Sequence, residues 1–153
     1  MIHISHATKQ IVASFEPAIA ALFPHGRRLN FEGQDMIVLP YGVDETKCLR
    51  NIGYADLPSP IEEIYDFPSA DGIKPFHKQV LTCASMVMNL RSFVLNSMGT
   101  GKTRAALWSF DFLRKQLRAT TMLVVAPLST LRFTWERGDL PHFPRMEGED
   151  PAW

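Results

Sequence analysis

The first third of the chain carries two different hydrophobic periods. Over residues 6–23 apolar side chains recur at helical spacing, around a proline that either kinks the helix or restarts it. Residues 28–31 and 35–39 predict two short strands joined by a tight glycine-containing turn. Residues 47–52 predict a short helix that ends at a glycine. The pattern therefore predicts a small α-β-β-α module over residues 1–57.

A proline-rich stretch follows this module. Residues 55–75 contain four prolines, which predicts an extended linker. The domain boundary is therefore expected after residue 57, with residues 58–153 as the second domain. At residues 76–89 apolar side chains gather on one side and polar ones on the other, which predicts an amphipathic helix.

Two wholly apolar runs flank a long amphipathic pattern in the second domain. Residues 93–95 and 122–126 are typical of strands that are buried on both faces of a parallel sheet. Between them, residues 103–118 carry apolar positions wide enough to pack on a sheet. The sequence therefore predicts an α/β fold with a right-handed βαβ unit over residues 92–126. Ser129 is expected to cap a further helix over residues 130–137.

The polar stretch from Asn96 to Thr103 joins the first run to the long helix. Glycines there allow successive backbone N–H groups to converge on a phosphate, and the helix adds its own unpaired N–H donors and the positive end of its dipole. The pattern G-x-x-x-x-G-K-[ST] is met except at Asn96, which stands where its first glycine would be. The candidate nucleotide ligands are Met98, Gly99, Thr100, Gly101, Lys102 and Thr103.

The composition indicates what kind of protein this is, but it does not indicate a binding partner. Lys plus Arg and Asp plus Glu both total 16, so no net basicity points to nucleic acid. Two widely spaced cysteines favour a reducing, cytoplasmic environment, and the histidines show no metal-ligand spacing. No apolar run has the ~18–20 residues of a membrane span. No secretion signal is recognisable at the N-terminus.

Three segments in succession resemble the signatures of superfamily 2 helicases. They are Pro-Phe-His-Lys-Gln at residues 75–79, Met-Gly-Thr-Gly-Lys-Thr at residues 98–103 and Leu-Val-Val-Ala-Pro-Leu-Ser-Thr-Leu at residues 123–131. The resemblance covers residues 58–143 and is greatest to the Swi/Snf-like DNA translocases, including helicases of tailed phages. It implies a partial RecA-like P-loop domain, a parallel sheet that follows the small α+β module, as part of an ATP-dependent DNA motor.

The resemblance also implies roles for particular residues. Gln79 would read the adenine edge, since a side-chain amide both donates and accepts. The loop would hold the phosphates of ATP, and the hydroxyl of Thr103 would bind Mg²⁺. The third segment would grip the backbone of tracked DNA, where hydroxyls and helix N–H groups suit phosphate. Its candidate DNA ligands are Pro127, Ser129 and Thr130.

Hydrolysis in such motors needs more than the loop. It requires an acidic pair after a further strand and an arginine from a second motor domain, which alone is worth ~10³–10⁵ in rate. Residues 127–153 offer no apolar strand followed by such a pair; Glu149-Asp150 follows Glu147-Gly148 instead. We therefore expect an incomplete motor whose partner is a missing C-terminal half, with no catalytic residue of its own. A small P-loop kinase-like enzyme, or a non-enzymatic binding module with a vestigial loop, remains the alternative.

Overall fold

Antiparallel pairing organises the N-terminal part of the chain. The structure is a computed structural model that describes residues 2–89 and 91–143. Four strands lie side by side in the spatial order β1-β2-β4-β3. In chain order they are β1 (Ile2–Ser5), β2 (Gln10–Ser14), β3 (Arg27–Phe31) and β4 (Gln34–Pro40). Ile11 stands opposite Leu39, and Ala13 stands opposite Ile37. Because alternate residues share a face, these four buried side chains point to one side of the sheet.

Three helices complete this first unit, Met1–Tyr65. They are α1 (Pro17–Leu22), α2 (Val43–Asn51) and α3 (Pro60–Ile64). Ile19 of α1 and Leu49 of α2 are fully buried in one cluster with the apolar face of the sheet. The hydroxyl of Tyr41 donates to the carbonyl of Pro58 at 2.9 Å, which fixes the chain just before α3.

The predicted α-β-β-α order is wrong for this unit, which runs β-β-α-β-β-α-α. Residues 6–23 contain a strand and a short helix, and β1 was not predicted. The apolar side chains over residues 6–23 are spaced as in a helix, which is why a helix was predicted. In the structure β2 pairs with β4, and every second side chain of β2 is buried, as in a strand. Pro17 restarts the chain as the first residue of α1, where its missing N–H has no cost.

The hairpin between β3 and β4 is confirmed. Glu32 and Gly33 form the two-residue connection, with φ of 50° and 80°. Positive φ at both central residues belongs to the hairpin turn whose twist matches that of the strands.

The second unit, Asp66–Trp153, is helical in its described part. The predicted amphipathic helix is confirmed as α4 (His77–Met88), and the long helix as α5 (Lys102–Lys115). The two pack against each other, and the thiol of Cys83 lies 3.3 Å from the carbonyl oxygen of Ala105. After α6 (Leu128–Thr130) the chain is wound as a π-helix, Leu131–Asp139, and then as a 3₁₀ turn, Leu140–His142.

The predicted parallel sheet, and with it the RecA-like α/β fold, is wrong. The sheet that the structure describes is antiparallel and lies entirely in the first unit. Residues 93–95 and 122–126 form no regular secondary structure and pair with no strand among the described residues. An apolar run predicts a buried strand only when neighbours cover both of its faces. Here four side chains stay 86–95% exposed: Phe93, Leu95, Leu123 and Val125.

The predicted domains, residues 1–57 and 58–153, stay a prediction. Helix α3 lies inside the proline-rich stretch and belongs to the first unit. The segment that holds Glu149 and Asp150 lies outside the described residues. Within residues 2–89 and 91–143, no helix has the length and apolar character that crossing a bilayer demands.

Candidate functional site

The loop before α5 has the backbone form that its glycines predict. Gly99 and Gly101 adopt φ of 74° and 70°, in the left-handed region that glycine enters without strain. Gly101 is the N-cap residue of α5, and its carbonyl accepts from the N–H of Ala105 at 3.1 Å. The loop therefore turns directly into the first turn of the helix, with Asn96, Ser97, Met98 and Gly99 exposed.

Lys102 folds back over this loop. Its Nζ donates to the carbonyl of Ser97 at 2.8 Å and to the carbonyl of Asn96 at 3.0 Å. The hydroxyl of Thr100 also donates to the Ser97 carbonyl, at 2.9 Å. The ammonium group is thus held by the loop's own backbone at an exposed position, where a full positive charge can meet an anion.

The N-terminus of α5 is open to a ligand. No side chain caps it, so the N–H groups of its first turn have no intrahelical partner. The helix dipole adds positive potential at the same end. Thr103, the residue expected to meet Mg²⁺, lies half-buried in this first turn. Orphan donors, dipole and lysine therefore converge on one small volume that favours phosphate.

Gln79 of α4 lies against the loop and is 7% exposed. Its Oε1 accepts from the N–H of Phe76 at 2.9 Å, and its Nε2 donates to the carbonyl of Gly101 at 3.4 Å. The structure thus brings Gln79 and the loop together. Both amide atoms contact backbone, so this side chain positions the start of α5. Its adenine-reading role stays a prediction.

Asn96 replaces the first glycine of the pattern and has a structural role. Its Nδ2 donates to the hydroxyl of Thr82 at 2.9 Å, and that hydroxyl donates to the carbonyl of Lys78 at 2.8 Å. This chain of hydrogen bonds ties the beginning of the loop to α4. The role of Thr82 was not predicted, since no sequence signal links it to a residue 14 positions away.

Arg104, directly after the lysine and threonine of the loop, anchors α5 from the other side. Its guanidinium bonds Asp71 at 2.9 Å and Asp139 at 3.4 Å. Further along the helix, the indole N–H of Trp108 donates to the carbonyl of Pro68 at 2.9 Å. These contacts were also missed from the sequence, because they join residues 33 to 40 positions apart.

Asp71 is held in its charged form by several donors. The hydroxyl of Ser69, the guanidinium of Arg104 and the N–H of Ile73 all bond its carboxylate. These bonds, that of Ser69 first, hold the pKa of Asp71 well below its usual range. His142 Nδ1 lies 3.5 Å from the same carboxylate. The cluster therefore depends on an ionised Asp71.

A cleft of about 520 Å³ opens beside the loop. It lies between α4 and residues 93–97, and its volume falls in the range of small-molecule sites. Polar and apolar side chains line it together: Lys78, Leu81, Thr82, Ser85, Phe93, Val94, Leu95, Asn96, Ser97 and Thr100.

The third signature does not join this site. Pro127 is the N-cap residue of α6, and Ser129 is exposed on that helix. No side chain caps α6, so the capping role predicted for Ser129 is wrong. Among the described residues, no hydrogen bond or ion pair links Pro127, Ser129 or Thr130 to the loop. Their DNA contacts stay a prediction.

Metal and thiol chemistry find little support in the described part of the chain. Residues 2–89 and 91–143 contain no group of three or more His, Cys, Asp and Glu side chains that could hold a metal ion. The contact of Thr103 with Mg²⁺ stays a prediction. Burial raises the pKa of the Cys83 thiol to about 11, so this thiol is not a nucleophile at neutral pH.

The chain was compared with protein families, curated proteins and solved structures. No protein-family model matches the chain, and neither the curated proteins nor the solved structures give a match to it.

Replacing Gly101 tests whether the loop depends on its contact with Gln79. A Cβ at residue 101 would overlap Nε2 of Gln79, whereas a Cβ at Gly99 would meet nothing within 4 Å. Both positions have positive φ, which costs a non-glycine residue ~1–2 kcal/mol. We expect Gly101→Ala to lower the free energy of unfolding, measured in urea, by clearly more than Gly99→Ala does.

The double variant Gly101→Ala/Gln79→Ala supplies the control. Removing the glutamine amide relieves the overlap, so the two substitutions should be less than additive, with a coupling of about 0.5–3 kcal/mol. Equal losses for Gly99→Ala and Gly101→Ala, with additive behaviour of the pair, would show that the contact is not formed.

Acidification tests the anchor at Asp71. Because the folded pKa is lowered, the ionised carboxylate stabilises the fold above the unfolded pKa of about 3.9 and loses this effect as pH falls through the folded pKa. The difference in free energy of unfolding between wild type and Asp71→Asn should shrink as the pH falls below about 4. Asp66→Asn, which alters an exposed aspartate of the same segment, is the control. A difference that does not change with pH would contradict the assignment.

Proposed function

We propose that the loop 96–103 binds the phosphates of ATP, with Mg²⁺, as the nucleotide-binding part of an ATP-dependent DNA helicase or translocase. One observation carries the proposal: Nζ of Lys102 lies over the loop on the carbonyls of Asn96 and Ser97, next to the uncapped N-terminus of α5. An ammonium group placed there needs only to exchange two neutral acceptors for charged phosphate oxygens, which are the stronger partners.

The electrostatics of the binding step follow from the same residues. Lys102 supplies one full charge, and the first turn of α5 supplies oriented N–H donors together with the dipole. The left-handed glycines keep the loop free of side chains that would hold a phosphate away from its backbone. Gln79 and Arg104 hold the start of α5 from two sides, so the cradle is formed before the ligand arrives. A site formed in advance loses less entropy on binding.

The DNA motor part of the proposal rests on the resemblance. The signature that contains Gln79 and the signature that contains Lys102 lie in contact, which supports a shared nucleotide site. Ser129 is exposed and accessible to a DNA backbone. We propose binding of ATP, and not turnover, as the activity of this chain, because its sequence offers no acidic pair after an apolar strand.

Titration with a fluorescent ATP analogue and Mg²⁺ tests the nucleotide site. Lys102→Ala removes the ammonium charge that lies over the loop and should weaken binding about tenfold or more, which corresponds to ~1.4 kcal/mol. Lys47→Ala, which removes a lysine from α2 of the first unit, should leave the affinity unchanged. Equal affinities of wild type and Lys102→Ala would overturn the proposed site.

A further inference from the structure

The helix after the third signature is wound in an uncommon way. Residues Leu131–Asp139 form a π-helix, and the N–H of Leu140 continues its pattern by bonding the carbonyl of Trp135, five residues back. The π-helix is rare in proteins, and many of the examples that do occur lie at functional sites. The winding has a direct consequence for which side chains share a face.

This winding changes how the exposed side chains are arranged around the helix. A π-helix forms hydrogen bonds between residues five positions apart, so Arg132 and Arg137 lie nearer to one side than they would in an α-helix. In an α-helix, at about 100° per residue, the same two would diverge by about 140°. Phe133 follows Arg132 in the sequence and is 68% exposed, with the guanidinium carbon of Arg137 5.8 Å from its ring centroid. We call Arg132, Phe133 and Arg137 the Phe133 patch.

The charge around the Phe133 patch favours an anionic ligand. Within the described residues, no salt bridge engages Arg132 or Arg137. Of the two acidic residues on the same helix, Asp139 is turned to Arg104 and lies in the anchor of α5. Glu136 is the remaining carboxylate of the π-helix. The patch thus presents two guanidinium groups beside an exposed aromatic face.

We propose that the Phe133 patch binds single-stranded DNA, with one base stacked on the ring of Phe133 and the adjoining phosphates on Arg132 and Arg137. The inference rests on the DNA partner of the proposed function and adds residues outside the three signatures. A ring with two cations on the same helix matches a base and its adjoining phosphates, because every base has a π-face and every phosphodiester link carries one charge. Bases in a duplex are already stacked, so an unpaired strand is the form that fits.

Fluorescence anisotropy of a short labelled oligothymidylate, with the full chain and without nucleotide, tests the inference. Phe133→Ala should weaken binding about tenfold, while Phe133→Tyr should retain it. Phe31→Ala, at a phenylalanine of equal 68% exposure in the first unit, should have no effect. Arg132→Gln and Arg137→Gln should each reduce the salt slope of the binding constant by about 0.7.

The outcomes separate this inference from the proposed ATP site. Lys102→Ala should bind the oligonucleotide like wild type, so loss of nucleotide binding leaves the DNA result intact. Unchanged circular dichroism establishes that Phe133→Ala is folded. The inference is overturned if wild type does not bind the single strand, if Phe133→Ala binds like wild type, if Phe31→Ala loses as much, or if duplex DNA binds as tightly.

Discussion

The fixed N-terminus of α5 is the constraint on which the candidate site depends. Arg104 is 9% exposed, and its charge is balanced by Asp71 and Asp139. On the opposite side, Gln79 holds the carbonyl of Gly101. Breaking either contact would leave a buried polar or charged group without its partner, which costs far more than an exposed pair contributes. The helix therefore starts at one defined place, and the donors of its first turn point to a defined volume.

Local signals predicted a large part of the secondary structure. The two-residue turn at Glu32 and Gly33 needs positive φ at both residues. Glycine adopts positive φ readily, so a glycine between two predicted strands indicates such a turn. Helices α4 and α5 carry apolar faces at helical spacing and formed where expected. By contrast, β2 looked helical, because only its pairing with β4 distinguishes it. The runs at residues 93–95 and 122–126 looked like strands, but a strand needs a partner backbone that no local pattern contains.

The candidate site was likewise predicted only in part from the sequence. Glycines, lysine and threonine in one short segment predicted the loop, since its chemistry is local. The contacts that hold it in place join residues 22 and 33 positions apart, from Gln79 to Gly101 and from Asp71 to Arg104. Packing of α4 on α5 brings the first pair together. The hydrogen bond from the Trp108 indole to the Pro68 carbonyl holds the segment that contains Asp71 beside α5. Neither could be deduced before the arrangement of these segments was known.

Amide hydrogen exchange on addition of Mg²⁺ and ATP tests the phosphate cradle most directly. Exchange at the backbone N–H groups of residues 99–104 should slow severalfold, because these donors then bond phosphate oxygens. The amides of β4, in the first unit, should exchange at unchanged rates. If residues 99–104 exchange equally fast with and without millimolar ATP, the loop does not bind the nucleotide.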